Sequence, residues 1–203
     1  MCDLSDLQSL VDSGHEFGTL LIDPPWDCQA RFEGRPLEYE TMSIDEIAAL
    51  PIKQLAAERS HCHLWVVNST LHDGIHLLEE WGFTYRNCFA WCKPGGGMGS
   101  YYMSAKELML LGVRGNLPTT LKHNTPDWAV YPRGPHSEKP HQIREMIERV
   151  SPGPYLEMFA RQAAPGWTAW GNQIPREIFR RGPDRPTLQK FNDRRWDQER
   201  VFE

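Results

Sequence analysis

An apolar run, Thr19-Leu20-Leu21-Ile22, ends abruptly in Asp23-Pro24-Pro25-Trp26. Four apolar or β-branched residues closed by an acid and two prolines read as a buried strand with a hard stop. Proline cannot donate to a ladder and turns the residue before it away from helix. Asp23 and the Pro24 carbonyl are therefore expected at the carboxyl end of a strand, where ligands bind in open α/β sheets. The same residues suit one chemistry. An exocyclic amine on a heteroaromatic ring is a poor nucleophile, because its lone pair is delocalised into the ring. A carboxylate and a carbonyl can each accept one of its N–H bonds, which localises the lone pair toward an electrophile. Trp26 can stack on the ring. The tetrapeptide alone does not separate this reading from a strand followed by a polyproline turn, with Trp26 in the core.

The rest of the chain alternates strands and helices. Leu4, Leu7, Leu10 and Val11 have the spacing of a short helix. Ser43 and Glu46 form a capping-box pattern ahead of another, running to Leu50, with a further short helix around Lys53 to Ala57. Strands are expected over His63–Val67, Arg86–Cys92, Glu107–Val113, Tyr155–Phe159 and Thr168–Trp170. Helices are expected from Leu71 to about Trp81 and from Lys139 to Val150, with Pro140 in the first turn of the latter. The segments 27–42 and 117–135 read as long loops, and Lys93 to Gly99 as a strand break. Such alternation predicts an α/β fold with a mostly parallel, doubly wound sheet and helices on both faces.

Composition excludes several classes. With 203 residues, one domain over 1–175 is expected, followed by a basic extension over 176–203 that carries 8 basic and 6 acidic residues. No stretch has the apolar length of a bilayer span, so no membrane is expected. Five scattered cysteines, Cys2, Cys28, Cys62, Cys88 and Cys92, suggest reduced thiols in the cytoplasm. A net charge of −5 argues against a broad basic surface for nucleic acid. Zinc is not expected at His61-Cys62-His63, because a strand turns Cys62 away from both histidines.

Three further clusters could carry chemistry. Lys139 at a helix start is either a solvated lysine or an anion site suited to an amino-acid carboxylate. Glu157, within the apolar run Leu156 to Ala160, needs a partner. Arg161 or a nucleoside could supply it. Asn172 and Gln173 lie just past a strand, where their amides can bond a nucleoside or close a turn.

Taken in order, Asp-Pro-Pro-Trp (23–26), Leu-Glu-Tyr-Glu-Thr-Met-Ser (37–43), His-Leu-Trp-Val (63–66), Lys-Glu (106–107), Gly-Val-Arg-Gly-Asn (112–116), Ser-Glu-Lys-Pro (137–140), Met-Ile-Glu-Arg-Val-Ser-Pro-Gly (146–153), Leu-Glu-Met-Phe-Ala-Arg (156–161) and Gly-Asn-Gln (171–173) form a pattern. From about Asp3 to Gln173 the chain resembles the N6-adenine methyltransferase family named after the MT-A seventy-kilodalton subunit. The resemblance implies a Rossmann-like fold that binds S-adenosylmethionine, with the catalytic motif ahead of the cofactor motifs. It implies Asp23, Pro24, Pro25 and Trp26 as catalytic residues. Asp3, Leu4, Asp23, Lys139, Glu157, Arg161, Asn172 and Gln173 match cofactor-site positions, and Trp26, Tyr39 and Glu107 match acceptor-site positions. Segments 27–42 and 133–140 match loops that close over the site. Gln162-Ala163 stand where eukaryotic members have His-Asn. The implied acceptor is adenine in nucleic acid, single-stranded or flipped out of a duplex, and DNA before RNA. The reading leaves room for a homodimer or a partner subunit. A non-catalytic binding subunit is the alternative, and the intact motif at Asp23 argues against it.

Overall fold

Leu20 and Ile22 alternate with Leu21 along the first strand, and the two sets face different helical layers. In the computed structural model, residues 4–27, 40–97, 101–116, 125–134 and 138–174 are described. The strands are β1 (Phe17–Ile22), β2 (Ala56–Val66), β3 (Thr84–Gly97), β4 (Ser104–Arg114), β5 (Trp128–Val130), β6 (Tyr155–Met158) and β7 (Trp167–Trp170). They form one seven-stranded sheet in the order β5-β3-β4-β2-β1-β6-β7. Only β4 runs against the others.

The helices are α1 (Leu4–Asp12), α2 (Ile44–Ala48), α3 (Ile52–Leu55), α4 (Leu71–Glu80) and α5 (His141–Val150). Leu7, Ile47, Ile52, Leu55, Leu77 and Leu78 place α1 to α4 on the face that holds Leu20, Ile22, Leu64 and Leu156. On the opposite face, Ile143, Met146 and Ile147 of α5 cover Leu21, Trp65, Met109 and Trp91. Both faces are thus buried, which explains why β1 is apolar at nearly every position. The capping box forms as its spacing requires. Ser43 N–H donates to Glu46 Oε2 at 2.7 Å, and Glu46 N–H donates to Ser43 Oγ at 3.2 Å.

Four expectations need correction. β3 does not stop at Lys93 but continues to Gly97. The register shift between Cys92 and Gly97 takes up Pro94 and Gly95, whose φ is +73°, as an irregular outer arm. The expected loop over 117–135 contains β5, a three-residue strand too short to show periodicity. β2 starts at Ala56, seven residues before the expected His63. Finally, α5 starts at His141. Pro140 sits ahead of it with ψ 132°, and Lys139 precedes the helix rather than opening it. The extension 176–203 lies outside the described residues.

Far from the carboxyl edge, β2 buries two histidines. His61 Nδ1 and His63 Nε2 both meet the Ser151 hydroxyl, at 2.8 Å and 2.9 Å. One hydroxyl can donate to one ring and accept from the other, while His61 Nε2, also buried, has no partner among the described residues. Burial holds His61 down to about 4. His63 is pushed to about 3 by burial and by its neighbour His61. Both lie below the unfolded value of about 6.5, so the unfolded chain binds more protons across the interval below it. Stability should therefore fall as pH drops from about 6.5 toward about 4, by at most about 1.4 kcal/mol per pH unit for each histidine. Urea midpoints at pH 7 and pH 5 test this. The drop should shrink in His63→Gln, and an equal drop in that variant would remove His63 from the acid response.

Candidate active site

Ile22, Met158 and Trp170 pair in one row across β1, β6 and β7. The residues that follow them, Asp23, Phe159 and Gly171, therefore stand along one carboxyl edge. On the other side, Val66 of β2 pairs with Leu108 of β4, and Trp91 of β3 pairs with Glu107. Because β4 runs backwards, its early residue Glu107 reaches the edge that the other strands reach with their ends.

Lys139 joins the two halves of that edge. Its Nζ lies 2.7 Å from Asp23 Oδ2 and 3.3 Å from Glu107 Oε2. Glu107 Oε1 in turn accepts from Lys93 Nζ. The result is an alternating ladder, Asp23–Lys139–Glu107–Lys93, in a partly buried setting. Two indole faces line it, with Lys139 Nζ 5.1 Å from the Trp65 ring and Lys93 Nζ 4.4 Å from the Trp91 ring. Burial alone would push the Glu107 carboxyl up, but Lys139 and Lys93 outweigh it and hold it below the usual range. Burial alone would lower Lys139, but Asp23 and Glu107 outweigh it and hold the ammonium above its usual value. Lys139 is thus a fixed cation at neutral pH and not a base.

The tetrapeptide divides its labour. The Pro24 carbonyl accepts the Trp26 N–H at 2.9 Å, which closes the turn over Pro25. Its second lone pair is still available to a ligand. Trp26 does not offer a stacking face. Its ring is 8% exposed, lies in the core with Leu20 and Ile22, and donates Nε1–H to the Trp65 carbonyl at 3.0 Å. It anchors the turn instead. Met42 N–H donates to the Pro25 carbonyl at 2.9 Å and Asp27 N–H to the Met42 carbonyl at 3.2 Å, so both ends of the 27–42 segment are clasped beside the turn.

A cleft opens on the α5 face, lined by Asp23, Lys139, Arg144, Glu157, Phe159 and Arg161. Glu157 pairs with Arg144 of α5 in a two-pronged bridge of 2.6 Å and 2.9 Å. This ion pair supplies a partner that the sequence reading, which weighed Arg161 or a nucleoside, did not name. Phe159 has φ 62°, an uncommon backbone state for a bulky residue, and turns the chain sharply at the cleft. Asn172 and Gln173 are exposed in the turn after β7, at the same edge but outside the lining of the cleft. Gly171 lets that turn press on β6's exit. A Cβ there would lie 2.0 Å from the Ala160 carbonyl. Leu4 is on α1, lining a separate groove with Gln8, Glu46 and Trp81. Asp3 and Tyr39 lie outside the described residues. Sequence reasoning missed Lys93 and Arg144. Lys93 shares the strand phase of Phe89 and Trp91, and that inward phase was its signal.

A family model described as MT-A70 matches residues 17–173. The chain is 27% identical over 183 residues to the type II methyltransferase M.MunI of Mycoplasma sp, covering 79% of this chain and 78% of that protein. It is 32% identical over 184 residues to a probable N(6)-adenosine-methyltransferase MT-A70-like protein of Oryza sativa subsp. japonica, covering 85% of this chain but 25% of that protein. It is 31% identical to the N(6)-adenosine-methyltransferase catalytic subunit METTL3 of Homo sapiens, again covering 85% of this chain and 30% of that protein. The chain thus spans most of the first relative and less than a third of the other two.

Proposed function

This chain belongs to the MT-A70 family of adenine-N6 methyltransferases, and we propose that it transfers the methyl group of S-adenosylmethionine to the N6 amine of adenine in nucleic acid, in DNA before RNA. The observation that carries the reading is the Asp23 carboxylate, held by Lys139 at 2.7 Å on the carboxyl edge of β1. Among the described residues only its Oδ2 is engaged, so Oδ1 can accept an amine N–H. The Pro24 carbonyl can accept the other. Held by two acceptors, the nitrogen presents its lone pair along one direction, and positioning of this kind is worth about 7–11 kcal/mol.

The cleft suits a zwitterionic nucleoside. Lys139 has three N–H donors and spends two on Asp23 and Glu107, which leaves one for a carboxylate. Glu157, braced by Arg144, presents acceptors for ribose hydroxyls. Leu21, Ile143 and Phe159 give apolar lining. Arg161, Asn172 and Gln173 stand at the rim for further polar contacts. When bound, S-adenosylmethionine supplies an electrophilic methyl on a sulfonium that leaves as a neutral thioether. Because Lys139 stays protonated, the amine proton leaves through Asp23 or solvent.

The type II methyltransferase M.MunI is matched over 78% of its own length, and DNA is the acceptor to test first. A cytoplasmic enzyme acting on single-stranded or flipped-out adenine fits the reading, as does a homodimer or a partner subunit that adds nucleic-acid surface to a chain of net charge −5. No helix among the described residues is long and apolar enough to cross a membrane. Transfer of labelled methyl from S-adenosylmethionine to matched DNA and RNA oligonucleotides, single- and double-stranded, tests the proposal. Nucleoside analysis should find N6-methyladenine. Absence of S-adenosylmethionine binding by calorimetry, together with no transfer to any acceptor, would reassign the chain as a non-catalytic subunit.

A further inference from the structure

β3 and β4 outrun the sheet. β3 points the same way as β1, so the far end of the hairpin lies on the Asp23 side of the molecule. Beyond the row of Trp91 and Glu107 the two strands still pair, Cys92 with Lys106 and Gly97 with Ser104. The arm then exposes three large side chains in succession. Tyr101 is 95% exposed, Tyr102 89% and Met103 71%, the most open large hydrophobics among the described residues. A monomer gains nothing from such a cluster, and exposed apolar groups in a row mark an interaction surface.

The chemistry of the arm narrows the partner. Residues 92–106 contain no acid, in a chain that is acidic as a whole, and of their two lysines Lys93 is paired with Glu107 while Lys106 is exposed. Phosphates are attracted to such a stretch, and tyrosine rings stack on any base. At a strand rise of about 3.3 Å per residue, Tyr102 lies roughly 15 Å from Glu107. That is too far to touch an amine at Asp23, but near enough to meet bases on either side of it.

We propose that Tyr101 and Tyr102 form a base-stacking arm that grips the nucleotides flanking the methylated adenine. This rests on the nucleic-acid acceptor proposed above. The arm fixes the strand while the target base alone enters the cleft. It supplies locally the grip that the overall charge of the chain denies. Lys106, exposed beside the tip, neutralises phosphate there.

Three double variants test it: Y101A/Y102A, Y101L/Y102L and Y101F/Y102F. Each is compared for anisotropy of a labelled adenine-containing single-stranded DNA at fixed salt, for S-adenosylmethionine affinity by calorimetry, and for size by gel filtration. The alanine and leucine pairs should lose about tenfold or more in oligonucleotide affinity. Their KM for DNA should rise while kcat at saturation and cofactor affinity hold. The phenylalanine pair should match the wild type, because stacking needs the ring and not the hydroxyl. Unchanged DNA affinity in the alanine pair, with methyl transfer intact, overturns the arm and leaves the proposed function standing. A dimer that the alanine pair breaks and the leucine pair keeps assigns the tip to a second copy and overturns the arm. A wild type that binds cofactor but no nucleic acid overturns both readings.

Discussion

Asp23→Ala is expected to lower kcat for methyl transfer by at least about 100-fold while the protein remains folded. The fold should survive because Asp23 is a third exposed and sits past the last residue of β1. Lys139 is not orphaned by the change, since Glu107 remains 3.3 Å from its ammonium. What is lost is the acceptor that sets the direction of the amine lone pair. The Pro24 carbonyl alone leaves the nitrogen free to rotate about one hydrogen bond. Cofactor affinity should fall less than kcat, because Glu157, Arg161 and Lys139 are untouched. Asp23→Asn keeps an acceptor oxygen but not the charge that pairs with Lys139, so its turnover should lie between wild type and alanine. Single-turnover kinetics with cofactor binding by calorimetry separate these effects. Near-normal turnover in Asp23→Ala would remove Asp23 from the mechanism.

Local patterns were legible in the chain where one residue type had one structural use. The run into Asp23 could only be a strand that stops, and Ser43 with Glu46 could only cap a helix. The alternation of Leu20, Leu21 and Ile22 already encoded two covered faces. Contacts between distant segments were harder to read. Glu157 visibly needed a partner, but a cation on the facing helix, Arg144, satisfies it rather than the near neighbour Arg161. Sequence proximity was a poor guide because Glu157 points across the sheet toward α5, while its neighbours Leu156 and Met158 face the other layer. Lys93 went unread because Pro94 and the following glycines suggest a break, whereas the irregular outer arm carries the strand through them. Trp26 illustrates the opposite error. An aromatic next to a proposed amine-positioning carboxylate invites a stacking role, but its indole N–H finds a core carbonyl and its ring fills the layer beneath the turn. The acid is presented to the cleft because the tryptophan is buried.

The same geometry makes Lys139 the residue whose loss should do most harm to stability and activity together. Lys139→Met leaves Asp23 and Glu107 as partly buried carboxylates facing a gap that no longer holds a cation. Breaking a buried pair by removing one partner costs about 3–5 kcal/mol, and the partial exposure here should bring the loss to roughly 2 kcal/mol or more. The pH dependence has a definite sign. Lys139 is raised above its unfolded value, so its contribution is whole below about 10.5 and is lost only as pH rises through the raised value. Glu107 is lowered, so its contribution is present above about 4.5 and is lost as pH falls through the lowered value. Between those limits the ladder is intact, and the deficit of the variant should be constant. It should narrow as acid protonates the two carboxylates that repel each other in its absence. Adding Glu107→Gln to Lys139→Met should therefore recover part of the stability at pH 7, because a neutral amide relieves the repulsion. It should recover none of the methyl transfer, because Asp23 still lacks its clamp. Chemical denaturation of the wild type, both single variants and the double variant gives the coupling directly. If the two losses simply add, the ladder is not an electrostatic unit, and Lys139 stabilises the site only through its packing on Trp65.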